Sequence, residues 1–328
     1  MERWTLENLI DFEQALAANP SASAATKATI IKAVHGKDGA EARRIGLRIW
    51  LALSKRTPSA GSRFSRVVVS LAVALLLLGG VAGSGMVSSL MHRELGGVNV
   101  VIFLAAVIGL QWLVLLGAAI AWIFRRKAAG GWTVFQSVIG GVIRKLTGEK
   151  EDGWWARLAD GGKEQRAALL WRVASLAQGF GIGFNLGVIL TLTGFVFARN
   201  VGFYWETTTD QAMRGTLGEI VRVLSFPWAA FWPGAVPDAA TIDATRLLAG
   251  KSTPLSAGPE AWWLFLLAAT FVWGLLPRLL LWLQARSASN RALAKLDFQA
   301  RHHRALWREI SGATRTAVDE KPLDGVLV

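Results

Sequence analysis

The segment from Val98 to Phe124 constrains the fold more than any other part of the chain. Its 27 residues, VNVVIFLAAVIGLQWLVLLGAAIAWIF, include no charged side chain. At about 1.5 Å per residue, a helix of this length extends roughly 40 Å, more than the ~30 Å hydrocarbon core of a bilayer. The segment is therefore predicted to be a tilted transmembrane helix. Arg125, Arg126 and Lys127 follow it, and the positive-inside rule predicts that this end is cytoplasmic.

Three further apolar segments, residues 67–90, 173–198 and 261–283, have the same character. The composition agrees with a membrane protein, since 52% of the residues are hydrophobic and 16 Trp accompany a single Tyr. So many Trp side chains are typical of belts at the membrane interfaces. The predicted fold class is all-α: a polytopic membrane protein with four transmembrane helices and cytoplasmic N and C termini.

The net charge of +13 would favour nucleic-acid binding in a soluble protein. The segments predicted to be cytoplasmic (1–66, 125–172 and 278–328) hold 30 basic and 16 acidic residues, whereas the outer segments hold 6 and 7. The basic excess thus lies on the side that the positive-inside rule requires. This distribution argues against a nucleic-acid partner, makes the lipid bilayer the expected partner, and predicts a multi-pass protein of the bacterial inner membrane.

The segments between the spans divide the remainder of the chain. Residues 1–66 form a cytoplasmic region of three short helices, too small for a sizeable core, so they are expected to lean on other parts of the molecule or on a partner. Residues 125–172 form a cytoplasmic loop whose amphipathic helix, near residues 132–146, packs on the membrane or on the N-terminal helices. A periplasmic segment (199–260) and a basic cytoplasmic tail (284–328) complete the chain. The first two spans form a hairpin around a short outer turn at residues 91–97.

Small and amide residues interrupt the apolar spans. The first span contains Gly79 and Gly83 at GxxxG spacing, which allows close approach of helix backbones or a homo-oligomer seam. The second contains Gln111. The third contains a set of small and amide residues: Gln178, Gly181, Gly183, Asn185 and Gly187. Gln111 and Asn185 are expected to meet at mid-bilayer. Their favoured interpretation is helix packing, and the alternative is a path for an ion or substrate.

The residues that commonly carry chemistry do not form a recognisable set. The chain has no Cys and no HExxH motif, and the predicted spans contain no Asp or Glu. His302 and His303 are adjacent, so their side chains are expected to point to different faces of a helix and to lie on the surface. We therefore predict no catalytic residue, no metal site and no cofactor, and expect that the protein is not an enzyme.

Several stretches together resemble a known family: Trp4–Glu13 (WTLENLIDFE), Val98-Asn-Val with Gln111, Phe184–Val188 (FNLGV), Phe203–Thr208 (FYWETT) and Gly274–Leu281 (GLLPRLLL). The chain resembles uncharacterised bacterial integral membrane proteins, a domain of unknown function. The resemblance implies no activity, but members are often encoded beside a predicted GTPase-like protein. The expected function is an anchor or regulator of a cytoplasmic partner of this kind. The alternatives are a small channel or transporter subunit, and a lipid-acting membrane enzyme.

Overall fold

The helices of this computed structural model account for most of the chain that it describes. The described residues are 3–18, 21–37, 39–54, 59–92, 94, 96–125, 158, 162–199, 201–206, 210–247 and 260–319. The helices are α1 (Leu6–Ala18), α2 (Ala24–Val34), α3 (Gly39–Leu53), α4 (Ala60–Leu90), α5 (Val100–Phe103), α6 (Leu110–Arg125), α7 (Lys163–Ala198), α8 (Asp210–Ser225), α9 (Ala239–Ala244), α10 (Glu260–Ala269), α11 (Leu276–Ala294) and α12 (Arg301–Asp319). The amphipathic helix expected near residues 132–146 lies outside the described residues.

Four of these helices or helix pairs are long and apolar enough to cross a membrane: Ala60–Leu90, Val100–Ala121, Lys163–Ala198 and Glu260–Ala294. They correspond to the four predicted spans, here called spans 1 to 4. Spans 2 and 4 each contain one π-helical segment, at Leu104–Gly109 and Thr270–Leu275, and these two segments pack against each other. The four-span prediction is confirmed at the level of length and composition.

The helices of three spans extend beyond the predicted membrane segments. Span 1 begins at Ala60 instead of residue 67, span 3 begins at Lys163 instead of residue 173, and span 4 ends at Ala294 instead of residue 283. Arg63 and Arg66 follow the start of span 1 without interrupting it. Apolar runs mark the part of a helix that suits lipid, whereas helix ends are set by caps and polar residues, so the two boundaries need not coincide.

A small sheet departs from the all-α prediction. Strand β1 (Met91–His92) pairs antiparallel with β2 (Gly97–Asn99), which pairs in parallel with β3 (Gly202–Tyr204). The predicted outer turn at residues 91–97 is therefore a β-hairpin, and Gly96 adopts a left-handed conformation with φ of 63° that suits glycine. Asn99 ends β2 and caps α5, because its side-chain oxygen accepts hydrogen bonds from the backbone N–H groups of Val101 and Ile102.

The chain divides into two compact units. The first, here called the terminal unit, combines the described residues up to Ser70, those between 158 and 173, and those from Ala285 onwards. Its core includes Phe12, Trp50 and Phe298. In this unit Arg43 Nε donates to the backbone oxygen of Asp297 at 3.0 Å, and α12 packs against α2. The expectation that the N-terminal helices lean on another part of the molecule is confirmed.

The second unit, here called the span unit, comprises the described residues between 71 and 125 and between 174 and 284, and it has its own apolar core. Trp205, Trp228 and Trp262 lie fully inside that core. The Nε1 groups of Trp205 and Trp228 donate to the backbone oxygens of Ile242 and Ala235, respectively. These three side chains are core residues with satisfied N–H groups, and the expectation of an interfacial belt does not apply to them.

Candidate functional site

The two predicted amides meet in the span unit. Gln111 Nε2 donates to Asn185 Oδ1 at 3.0 Å, and Asn185 Nδ2 donates to Gln111 Oε1 at 2.9 Å. Each amide also donates to a backbone carbonyl, Gln111 to Val107 and Asn185 to Gly181. Asn185 is fully buried. The side chains thus satisfy one another, which is what a buried polar pair requires in an apolar surrounding.

The predicted glycines of spans 1 and 3 lie at one helix–helix contact. A Cβ atom at Gly79 or Gly83 would collide with the backbone oxygen of Phe180 or Phe184 in span 3. In the opposite direction, Gly183 and Gly187 face backbone atoms of span 1 in the same way. Because rigid backbone lies on both sides, only residues without a side chain permit this approach.

Arg278 makes a contact that was not predicted from the sequence. Its Nη1 atom donates to Gln178 Oε1 at 3.2 Å, and a Cβ atom at Gly181 would lie 2.9 Å from the Cδ atom of Arg278. The sequence gives little sign of this contact, because an arginine next to a proline near the end of an apolar segment can equally reach the headgroups. Gly274, four residues before Arg278 in span 4, lies against the side-chain oxygen of Asn185. The amides form, with Gly181, Gly274 and Arg278, one polar cluster that joins spans 2 to 4, and the glycine contacts join span 1 to span 3.

The chemistry open to this cluster is limited. Side-chain amides and backbone carbonyls do not titrate near neutral pH, and the guanidinium of Arg278 stays protonated. Gln111 and Asn185 bond each other and nearby backbone oxygens, and Arg278 donates to Gln178. The arrangement is suited to fixing the spans against one another.

A second cluster, which the sequence analysis did not find, lies in the terminal unit. Nε2 of His303 lies 2.6 Å from Oε1 of Glu13, and Nε2 of His302 lies 3.2 Å from Oε2 of the same carboxylate. Glu13 and His303 are almost completely buried, with side-chain exposures of 0% and 1%, and His302 is 29% exposed. The expectation that both histidines lie on the surface is wrong for His303. Neighbouring helical side chains point about 100° apart, yet a carboxylate between those directions can face both rings.

Burial and the two neighbouring imidazoles act in opposite directions on the pKa of Glu13. Burial alone raises the pKa of this carboxyl, but the imidazoles of His302 and His303 favour its charged form more strongly and lower the pKa to about 2. Glu13 is therefore a carboxylate at neutral pH. It joins α1 to α12, two helices that lie at opposite ends of the sequence.

A groove of about 710 Å³ also lies in the terminal unit. Its charged lining consists of four arginines and one carboxylate: Arg3, Arg172, Arg286, Arg291 and Glu7. Trp4, Ser289 and Asn290 add a ring and polar groups to the lining. A concave surface with this excess of positive charge favours an acidic or phosphate-bearing ligand or partner.

Comparison with known proteins places the chain in a family. A family model described as "Protein of unknown function (DUF2868)" matches residues 143–322, more than half of the chain. The chain belongs to the DUF2868 family. No curated protein and no solved structure matches it. The matched part of this DUF2868 chain includes Asn185, Arg278 and His303. Gln111, the partner of Asn185, and Glu13, the partner of His303, lie outside it.

The span unit of the DUF2868 chain includes an exposed aromatic segment at residues 225–233. Phe226 and Phe231 are largely exposed, and Trp232 is partly exposed. Trp228, in the same segment, is buried and holds the loop in place. Exposed aromatic side chains on a fixed loop suit contact with the interfacial region of a bilayer.

Proposed function

We propose that this protein is an integral protein of the bacterial inner membrane that anchors or regulates a cytoplasmic, GTPase-like partner. The observation that carries the proposal is the terminal unit, in which both ends of the chain pack into one compact body. Four spans return a chain to the side on which it started. A folded unit made from both ends is therefore suited to act on one side of the membrane.

The basic groove supplies the chemistry for such a partner. Four arginines line it against one glutamate. Opposite charge on a partner raises the rate of association and fixes the orientation of the complex. An acidic surface, or a surface that presents the phosphates of a bound nucleotide, is the complement that this groove favours.

The experiment is a pull-down of the tagged full-length protein from native membranes in a gentle detergent, with GTP or with GDP. The variant Arg3→Glu with Arg291→Glu reverses two exposed charges in the groove. The control variant, Arg304→Glu with Arg308→Glu, makes the same change of charge at two exposed positions of α12 outside the groove. We expect a stoichiometric nucleotide-binding protein with the wild type and the control, and about tenfold less of it with the groove variant.

Three results would contradict the proposed anchoring or regulatory function. If the wild type purifies without a stoichiometric nucleotide-binding protein, or if both double variants lose it equally, the proposal fails in its present form. Deletion of the terminal residues without any cellular phenotype also contradicts it.

The alternative, a channel or transporter, rests on the polar cluster of the spans. The reciprocal bonds between Gln111 and Asn185 weigh against it, because groups that serve a permeant ion or solute need free donors or acceptors. Ion flux in liposomes that disappears in the double variant Gln111→Leu with Asn185→Leu would favour the alternative.

A further inference from the structure

We propose that Glu13, His302 and His303 form a binding site for a transition-metal ion of the Zn²⁺ class. Each of the three side chains offers one donor atom, and these donor atoms lie within 4.8 Å of one another. Glu13 and His303 are almost completely buried. Two helices from opposite ends of the sequence, α1 and α12, supply the donors.

Hydrogen bonding alone leaves this cluster incompletely satisfied. His303 Nε2 and Glu13 Oε1 form a hydrogen bond at 2.6 Å. Oε2 of Glu13 and Nε2 of His302 are buried and only 3.2 Å apart, yet neither has a hydrogen-bond partner in the described part of the chain. Two buried polar atoms at this separation are costly unless a proton or a cation lies between them.

The spacing of the unbonded pair suits a metal ion. Zn²⁺ binds His nitrogen and carboxylate oxygen at about 2.0–2.2 Å, so two ligands of a tetrahedral site lie about 3.3 Å apart. The 3.2 Å between Oε2 of Glu13 and Nε2 of His302 agrees with that separation. His303 completes the set when its ring turns and the 2.6 Å contact with Oε1 lengthens by roughly half an ångström or more.

The donor atoms decide the class of metal. Two imidazole nitrogens with one carboxylate oxygen suit Zn²⁺ and its neighbours, whereas Ca²⁺ and Mg²⁺ prefer oxygen donors alone. Three protein ligands leave a fourth position of a tetrahedral ion for water or for a group from a partner. His302 is the partly exposed member of the set, so it marks the side from which an ion enters.

Metal binding would couple the two ends of the chain. The ion would bind the folded terminal unit and not a chain in which α1 and α12 are apart, so it would stabilise the unit by mass action. Metal availability would then control whether the terminal unit is closed. This inference does not depend on the identity of the partner proposed above.

The experiment uses the full-length protein in detergent after removal of metals with a chelator. Calorimetric titration with Zn²⁺ measures stoichiometry and affinity, and the absorption spectrum of the Co²⁺ form reports the coordination geometry. Thermal unfolding with and without Zn²⁺ measures the coupling to stability. We expect one ion per chain, a tetrahedral Co²⁺ spectrum and a higher Tm with Zn²⁺.

The variants Glu13→Gln and His302→Gln remove one donor each. Either change is expected to weaken Zn²⁺ binding at least tenfold, whereas the control variant His35→Gln with His92→Gln alters the two histidines outside the cluster and binds as the wild type does. His302→Gln keeps the proposal testable if the buried Glu13→Gln variant does not fold. Absence of stoichiometric binding, or loss of binding in the control variant only, overturns the proposal and leaves a hydrogen-bonded contact between α1 and α12.

Discussion

Single glycines determine how closely spans 1 and 3 approach. Gly187 faces the backbone oxygen of Gly80, and a helix backbone cannot move aside as a flexible side chain can. Gly194, seven residues further along α7, has nothing within 4 Å of its Cβ position. The same substitution at the two sites therefore separates the effect of packing from the effect of helix propensity.

We predict that Gly187→Ala destabilises the span unit by about 1–3 kcal/mol, because the added methyl group forces the backbones apart. Gly194→Ala is expected to be neutral or to stabilise the helix by up to ~1 kcal/mol. The measurement is the equilibrium unfolding of each variant in mixed detergent micelles. Equal stability of the two variants would contradict the close contact between Gly187 and span 1.

The Gln111–Asn185 pair permits a double-mutant cycle. Changing either residue to Leu leaves the other amide without its partner. Each single variant is therefore expected to lose more free energy of unfolding than half of what the double variant loses. The coupling free energy should be about 0.6–2 kcal/mol, the range for side-chain hydrogen bonds between membrane helices. The four proteins of the cycle are compared by unfolding in the same detergent, and additive single effects would show that the pair contributes nothing.

At the scale of the element, the four membrane spans could be predicted from the sequence, whereas the short strands and the π-helical segments could not, because they depend on tertiary contacts. A run of 27 uncharged residues identifies a span without any knowledge of its neighbours. Strands of two or three residues, such as β1 and β2, are too short to show alternation in the sequence. The π segments of spans 2 and 4 likewise depend on a mutual contact between distant residues.

The candidate sites divide in the same way. Gln111 and Asn185 could be paired from the sequence because an amide in an apolar span has few possible partners. Glu13 and His303 could not, because they lie 290 residues apart in segments rich in other polar groups. A buried charge in a short amphipathic helix, such as Glu13 between Phe12 and Leu16 in α1, is the only sign that the sequence offered.

The start of span 1 depends on α1. Asp11 accepts hydrogen bonds from the hydroxyl of Ser59 at 2.7 Å and from the backbone N–H of Gly61 at 2.8 Å. Gln14 accepts from the backbone N–H of Ala60 at 2.9 Å. Side chains of one helix thus satisfy the unpaired N–H groups at the first turn of another.

We predict that Asp11→Ala destabilises the terminal unit by about 1–2 kcal/mol, the cost of a lost helix cap together with buried donors left unpaired. The control Glu41→Ala removes an exposed carboxylate that pairs with Lys37 on a surface turn, and it should cost no more than ~0.5 kcal/mol. Hydrogen exchange at residues 59–62 and thermal unfolding measure both effects. Unchanged exchange at Gly61 in Asp11→Ala would exclude the capping role.

At the scale of the whole molecule, four spans and a terminal unit made from both chain ends predict the topology. The chain contains no cysteine, so single cysteines can report which side of the membrane each position faces. We expect that Ala28→Cys and Arg304→Cys react with a membrane-impermeant thiol reagent from one side. Glu94→Cys and Ala240→Cys should react from the other side only. Ala28 and Arg304 labelling from opposite sides would exclude four spans.

The terminal unit also has a consequence for the order of events during synthesis. Glu13 leaves the ribosome long before His303, since 290 residues separate them. At about 5–20 residues per second, the early helices wait roughly 15–60 s for the segment that covers Phe12 and the other apolar side chains of α1. During this interval a nascent chain exposes surface that a chaperone or protease can recognise. A truncated product remains in that state, so completion of the last helix distinguishes a finished chain from an interrupted one.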